Sequence, residues 1–148
     1  MANSLMIGSA KTGIHFRIAA PADLFPEKAL VEECRAVAVG TGSTIEFFEE
    51  PQKAVSGADA IYTDVWASMG EEDKLAERRT LLKPYQVNRE LMKATGNPDC
   101  IFLHCLPAVK GNEVTEEVFE SRNSKVFDES ENRLHTIKAV MVSTAGNL

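Results

Sequence analysis

The sequence predicts an α/β domain, a Rossmann-like three-layer fold on a mostly parallel sheet. Short apolar or β-branched runs alternate with amphipathic stretches along the whole chain. Strands separated by helices pair in parallel, through right-handed crossovers. Two apolar runs, Ala60-Ile61-Tyr62-Thr63 and Cys100-Ile101-Phe102-Leu103, lead directly into reactive side chains, Asp64 and His104-Cys105. Open α/β sheets bind ligands beyond the carboxyl ends of their strands.

The elements follow in order. Residues 2–12 read as a helix stopped by Gly13. Residues 14–19 read as a strand ending before Pro21. Residues 26–39 read as a helix with Leu30, Val31, Cys34 and Val37 on one face and Gly40 as its stop. Residues 44–48 are β-branched and aromatic, hence a strand, and residues 52–56 form a short helix before Gly57. Ala60 to Thr63 is a buried strand. Residues 72–82 form a charged surface helix, and residues 88–94 another, closed by Gly96-Asn97-Pro98. Residues 100–104 are a strand, 114–120 a helical turn and 125–127 a short strand. Residues 131–143 close the chain as a helix, with Leu134, Ile137, Val140 and Met141 at helical spacing. The stretch from Val65 to Gly70, continuing into Glu71-Glu72-Asp73, reads as a mobile loop.

Bulk properties narrow the function. A length of 148 residues suits one domain with a core of its own. A net charge of -6, without a basic stripe, argues against nucleic acid. No apolar stretch reaches the roughly 18 residues of a membrane span. The first five residues lack the charged and apolar regions of a signal peptide. Cys34, Cys100 and Cys105 show no metal-ligand spacing, so reduced thiols in a cytoplasm are expected.

The candidate chemistry gathers at the two strand ends. Cys105 is either a small buried hydrophobe or a site thiol. His104 offers it a donor. Leu106-Pro107 forces an abrupt turn that exposes backbone carbonyls, and its bond is a candidate for the cis form. Asp64 is either a turn or capping carboxylate or the partner of a ligand's ammonium group. Met69, between Ser68 and Gly70, is an apolar residue in a polar loop. It packs onto the protein body or covers an apolar ligand stem. Arg133 sits near the start of the last helix, against the macrodipole. It pairs with Glu129 or Glu131, or it recognises a carbonyl or phosphate oxygen. His15 and His135 stand alone, and Gly40-Thr41-Gly42 lacks the length and position of a dinucleotide loop.

Taken together, the blocks Ala2-Asn3-Ser4-Leu5-Met6, Tyr62-Thr63-Asp64-Val65-Trp66, Ser68-Met69-Gly70, Leu82-Lys83-Pro84-Tyr85-Gln86-Val87-Asn88, His104-Cys105-Leu106-Pro107 and Glu131-Asn132-Arg133 are specific. They resemble the C-terminal, amino-acid-binding domain of the ornithine carbamoyltransferases over essentially the whole chain. The related aspartate enzymes carry a proline where Cys105 stands and lack the Ser-Met-Gly loop, which favours ornithine.

The resemblance implies transfer of a carbamoyl group from carbamoyl phosphate to the δ-amino group of L-ornithine, giving L-citrulline and phosphate, with no cofactor or metal. It implies that Asp64 binds the α-amino group and that Ser68 and Met69 contact the amino acid from a closing loop. Cys105 lies beside the δ-amino group in this picture, with His104 next to it. Carbonyls near Cys105, Leu106 and Pro107 orient the amines, and Arg133 polarises the carbamoyl oxygen. A cytoplasmic homotrimer serving arginine metabolism is implied as well. The family's Ser-Thr-Arg-Thr phosphate loop and His-Pro motif do not occur in the chain. Nor does the strand that opens and centres this domain, with its Asn-Asn pair. The expectation is therefore an ornithine-binding half that is inactive alone, whether fragment, internal start or natural remnant. The alternative is a non-catalytic amino-acid-binding or self-associating module.

Overall fold

The computed structural model describes residues 1–67, 70 and 72–146. Among the described residues four strands, β1 (Phe16–Ala19), β2 (Ile45–Phe48), β3 (Ala60–Thr63) and β4 (Ile101–His104), alternate with seven α-helices. The helices are α1 (Ala2–Thr12), α2 (Lys28–Thr41), α3 (Pro51–Val55), α4 (Leu75–Leu82), α5 (Arg89–Ala94), α6 (Glu116–Phe119) and α7 (Val126–Ala145). Both strand pairings are parallel, as the alternation of elements predicts. They form two separate two-stranded sheets, β1-β2 and β3-β4. Among the described residues neither β1 nor β3 pairs on its second side.

Each sheet has its own apolar cluster. In the first, Met6 and Ala10 of α1 and Val31, Cys34 and Ala38 of α2 close over Ile45. Side chains alternate across a strand, so the other face carries Arg17 and Glu46, an ion pair at 3.2 Å. There the Arg17 guanidinium also donates to the carbonyls of Ala54 and Ser56, at 3.2 and 2.6 Å. These bonds hold α3 beneath the sheet. The second cluster joins Val55, Ile61, Val87, Leu91, Cys100, Phe102, Val114, Val118, Phe119 and Val126. Phe102 is fully buried at its centre.

Several boundaries move by a residue or more, and three of the differences from expectation bear on the fold. Gly40 lies inside α2, and Gly42 is the stop, left-handed at φ 75°. Val31, Cys34 and Ala38 keep the helix in register past Gly40, and the Thr41 hydroxyl anchors its last turn on the Ala10 carbonyl at 2.6 Å. Val37 is correspondingly exposed. The helix over residues 72–82 begins as a 3-10 turn, Glu72–Lys74, before α4. The strand expected at residues 125–127 is the start of α7. Strand-like pairing there shrinks to one bridge, Phe102 to Ser124. The Phe102 N–H donates to the Asn123 carbonyl and the Lys125 N–H to the Phe102 carbonyl, both at 2.9 Å. Asp128 and Glu129 then favour a helix N-terminus.

From Ser130 onward every described residue of α7 is exposed, Leu134, Ile137, Val140 and Met141 included. No helix among the described residues is long and apolar enough to cross a membrane.

Candidate functional site

The register of β3 on β4 builds the site. Thr63 stands opposite His104, so the next residues, Asp64 and Cys105, leave adjacent strands side by side. The Cys105 thiol donates to Asp64 Oδ1 at 3.0 Å, and the Val65 N–H donates to the same oxygen at 2.8 Å. Asp64 therefore does turn duty at the carboxyl end of β3, the end at which open α/β sheets bind ligands. The Cys105 thiol is pushed up to about 11, first by desolvation and then by its hydrogen bond to, and the charge of, Asp64. It is a neutral hydrogen-bonding group at physiological pH, and a poor nucleophile. The Tyr62 hydroxyl is buried near Cys105 and Glu129 without a well-aligned hydrogen bond. Burial first, then the Glu129 charge, holds its phenol above the ordinary range.

After Cys105 the chain turns sharply. Leu106 adopts φ 52°, and the Leu106-Pro107 bond is cis, as its sequence allows. A leucine in the left-handed region is strained and needs surrounding structure to hold it. His104 supplies that hold. The Leu106 N–H donates to His104 Nδ1 at 2.9 Å, while Nε2 meets Glu113 Oε1 at 3.2 Å. The His104 N–H donates to Glu129 Oε2 at 3.0 Å, which draws α7 to the end of β4. His104 is 0 % exposed. Its ring lies in the interior, between the Leu106 N–H and the Glu113 carboxylate. The carbonyls of Cys105 and Leu106 accept no hydrogen bond among the described residues. Pro107 is exposed beside them.

The remaining candidates are more dispersed. Arg133 lies within α7 rather than near its start, because α7 begins at Val126. It is exposed and forms neither local pair expected of it. Glu129 bonds to the His104 backbone, and Glu131 faces His135 at 3.6 Å. Ser68 and Met69 fall outside the described residues. His15 meets the Thr44 hydroxyl at 3.1 Å. No group of metal-binding side chains occurs among the described residues. A cleft of about 550 Å3, lined by Arg89, Lys93, Cys100 and Arg122, opens at the amino end of β4, away from Asp64 and Cys105.

A family profile described as aspartate/ornithine carbamoyltransferase, Asp/Orn binding domain, matches residues 1–144. The chain belongs to this carbamoyltransferase family. The ornithine carbamoyltransferase of Pseudothermotoga lettingae is 60 % identical over 144 residues, 97 % of this chain and 46 % of the relative. The catabolic ornithine carbamoyltransferase of Bacillus licheniformis is 54 % identical over 165 aligned positions, covering 100 % of this chain and 49 % of the relative. Among solved structures, ornithine carbamoyltransferase from Pyrococcus furiosus superposes with a TM-score of 0.93 at 44 % identity, over 100 % of this chain and 47 % of that one. The chain thus spans about half the length of the curated relatives it matches.

Within this carbamoyltransferase domain, sequence reasoning missed Tyr62 and Glu113, and it weighed Glu129 only as a partner for Arg133. Tyr62 carried a signal, since it stands two residues before Asp64 in a strand. Glu129 was hidden in an acidic run. Glu113, in the polar stretch Gly111-Asn112-Glu113, carried none, because a carboxylate among loop residues ordinarily faces water.

Proposed function

We propose that this domain is the ornithine-facing half of an ornithine carbamoyltransferase. The observation that carries the reading is the Asp64–Cys105 pair at adjacent parallel strand ends, in a chain whose relatives named above are ornithine carbamoyltransferases. Asp64 offers a carboxylate to the α-ammonium group of L-ornithine. The unoccupied carbonyls of Cys105 and Leu106 accept hydrogen bonds from an amine, and the neutral thiol adds no competing charge. Ser68 and Met69 contact the amino acid from their loop, and Pro107 shapes the wall beside them.

In the reaction the neutral δ-amine attacks the carbamoyl carbon of carbamoyl phosphate. The carbon–oxygen bond to phosphate breaks, phosphate leaves with the electron pair, and the nitrogen gives up a proton to yield L-citrulline. Holding the two reactants together supplies much of the rate. Arg133 approaches the carbamoyl oxygen, where developing charge is stabilised by fixed donors. The phosphate ligands come from a carbamoyl-phosphate domain, because neither the Ser-Thr-Arg-Thr loop nor the His-Pro motif occurs in the chain. The complete enzyme is a cytoplasmic homotrimer in arginine metabolism, and no cofactor takes part.

The test is calorimetric titration of the chain with L-ornithine at millimolar concentrations, paired with a citrulline assay. Saturable ornithine binding without citrulline formation supports the reading. Absence of binding rejects Asp64 and Cys105 as a sufficient amino-acid site, and citrulline production by this chain alone rejects the two-domain requirement. The exposed apolar residues of α7 favour a second reading, a self-associating module. Sedimentation at the monomer mass removes it.

A further inference from the structure

The most deeply buried pair of ionisable side chains, Glu113 and His104, lies behind the Leu106-Pro107 turn. Glu113 and His104 are each 0 % exposed. A buried carboxylate is costly unless its oxygens are met by donors. One oxygen of Glu113 is met twice, by His104 Nε2 at 3.2 Å and by the Val109 N–H. The other has no partner among the described residues. Oε1 therefore ties together two points of the chain, one before and one after the Leu106-Pro107 turn.

The geometry also fixes the proton on the imidazole. The Leu106 N–H can only donate, so His104 Nδ1, 2.9 Å away, must present its lone pair. A neutral ring with a bare Nδ1 carries its proton on Nε2, and that N–H points at Glu113. With the proton on Nδ1, two donors would face each other across that distance.

We propose that Glu113 is a positioning residue. By accepting from His104 Nε2–H and Val109 N–H, it selects the tautomer that holds Leu106 in its left-handed conformation and so fixes the directions of the Cys105 and Leu106 carbonyls at the end of β4. The inference deepens the ornithine reading and rests on it, because it assigns those carbonyls to the amine. It explains why a carboxylate is buried on the far side of the turn. It also gives His104 a role that needs no contact with substrate.

Nitrogen-15 NMR of the histidine rings in the wild-type chain comes first. The expected spectrum has an unprotonated His104 Nδ1 hydrogen-bonded to the Leu106 amide, and a protonated Nδ1 overturns the proposal without any variant. Next comes amide exchange in Glu113→Gln, whose side-chain carbonyl replaces the acceptor, and in Glu113→Leu, which removes it. Exchange at Leu106 is read relative to Phe102, a core amide of β4 bonded to Asn123. Glu113→Leu is expected to accelerate Leu106 by about tenfold more than Phe102, whereas Glu113→Gln keeps the wild-type ratio. Equal acceleration at both amides means a merely structural role and overturns the proposal. Glu113→Asp, too short to span both donors, gives the same comparison if Glu113→Leu does not fold. Ornithine titration of the same proteins separates the two ideas. A wild type that binds no ornithine, with the Leu106 ratio still changed, defeats the ornithine reading and leaves the tautomer lock standing.

Discussion

Replacing Asp64 with asparagine isolates its charge from its shape. The amide oxygen still accepts from the Cys105 thiol and the Val65 N–H, which now share Oδ1 at 3.0 and 2.8 Å. The negative charge against the thiol is gone. Cys105 titrates near 11 rather than the ordinary 9.0. At about pH 8, a thiol titrating at 11 is ~0.1 % ionised and one at 9.0 is ~9 % ionised, a window of ~100-fold in thiolate. Desolvation is the largest cause and survives the substitution, and Asp64 supplies the next two. Asp64→Asn therefore recovers only part of the window, ~5–10-fold in thiolate. The assay is pulsed alkylation with iodoacetamide, with peptide mass mapping to separate Cys105 from Cys34 and Cys100, which are buried. The rate at Cys105 should rise by that factor, and its pH profile should shift to lower pH. An unchanged or slower rate would refute the claim that Asp64 holds the thiol protonated.

Further outcomes follow from the same structure. Phe102→Ala empties the centre of the second cluster and should cost about 3–5 kcal/mol, read as a lower urea midpoint. Asn88 caps α5 by accepting from the Leu91 N–H at 2.9 Å, so Asn88→Ala should cost about 1 kcal/mol in the same titration. Stability should also fall in alkali. The Cys105 thiol loses its proton near 9.0 when unfolded and near 11 when folded, so across that interval the unfolded chain holds fewer protons. The stabilisation is complete below 9.0 and is lost as pH rises through about 11, with Tyr62 acting in the same direction above its ordinary 10.0. A urea midpoint that stays constant across this range would contradict the assignment.

Much of this was legible in the residues. Residue type alone marked all four strands, because each is a short apolar or aromatic run bounded by turn residues. The parallel pairing then put Asp64 beside Cys105 without further information. What stayed hidden was set by tertiary contact. Gly40 and Gly42 look alike in sequence, and only the anchoring of Thr41 on Ala10 moves the stop to the second. Val126 and Phe127 have strand character, yet Val126 is consumed by the core and the acidic residues after it start a helix. Glu113 was invisible for a different reason. Its partner donors are the ring of His104 and the backbone of Val109, and no local pattern announces a backbone donor that arrives from across a turn.

The two apolar clusters have a consequence for how the chain comes apart. One is confined to α1, α2, β1 and β2, and the other spans α3 through α7. Among the described residues the sheets share no ladder, and the bonds from Arg17 to the carbonyls of Ala54 and Ser56 are a polar tie rather than a shared core. Cooperativity in small proteins comes from side chains that every part of the structure needs at once. Here the link is α3, which packs on β1 and β2 as well as on α5, together with the Tyr85 hydroxyl, which donates to the Glu49 carbonyl at 2.8 Å. Denaturation should therefore proceed in two steps, with the amino-terminal unit opening while the turn around Cys105 is still formed. A cell's proteases would meet that half-open chain first, and cleavage would release a carboxy-terminal piece with Asp64, Cys105 and Glu113 still in place.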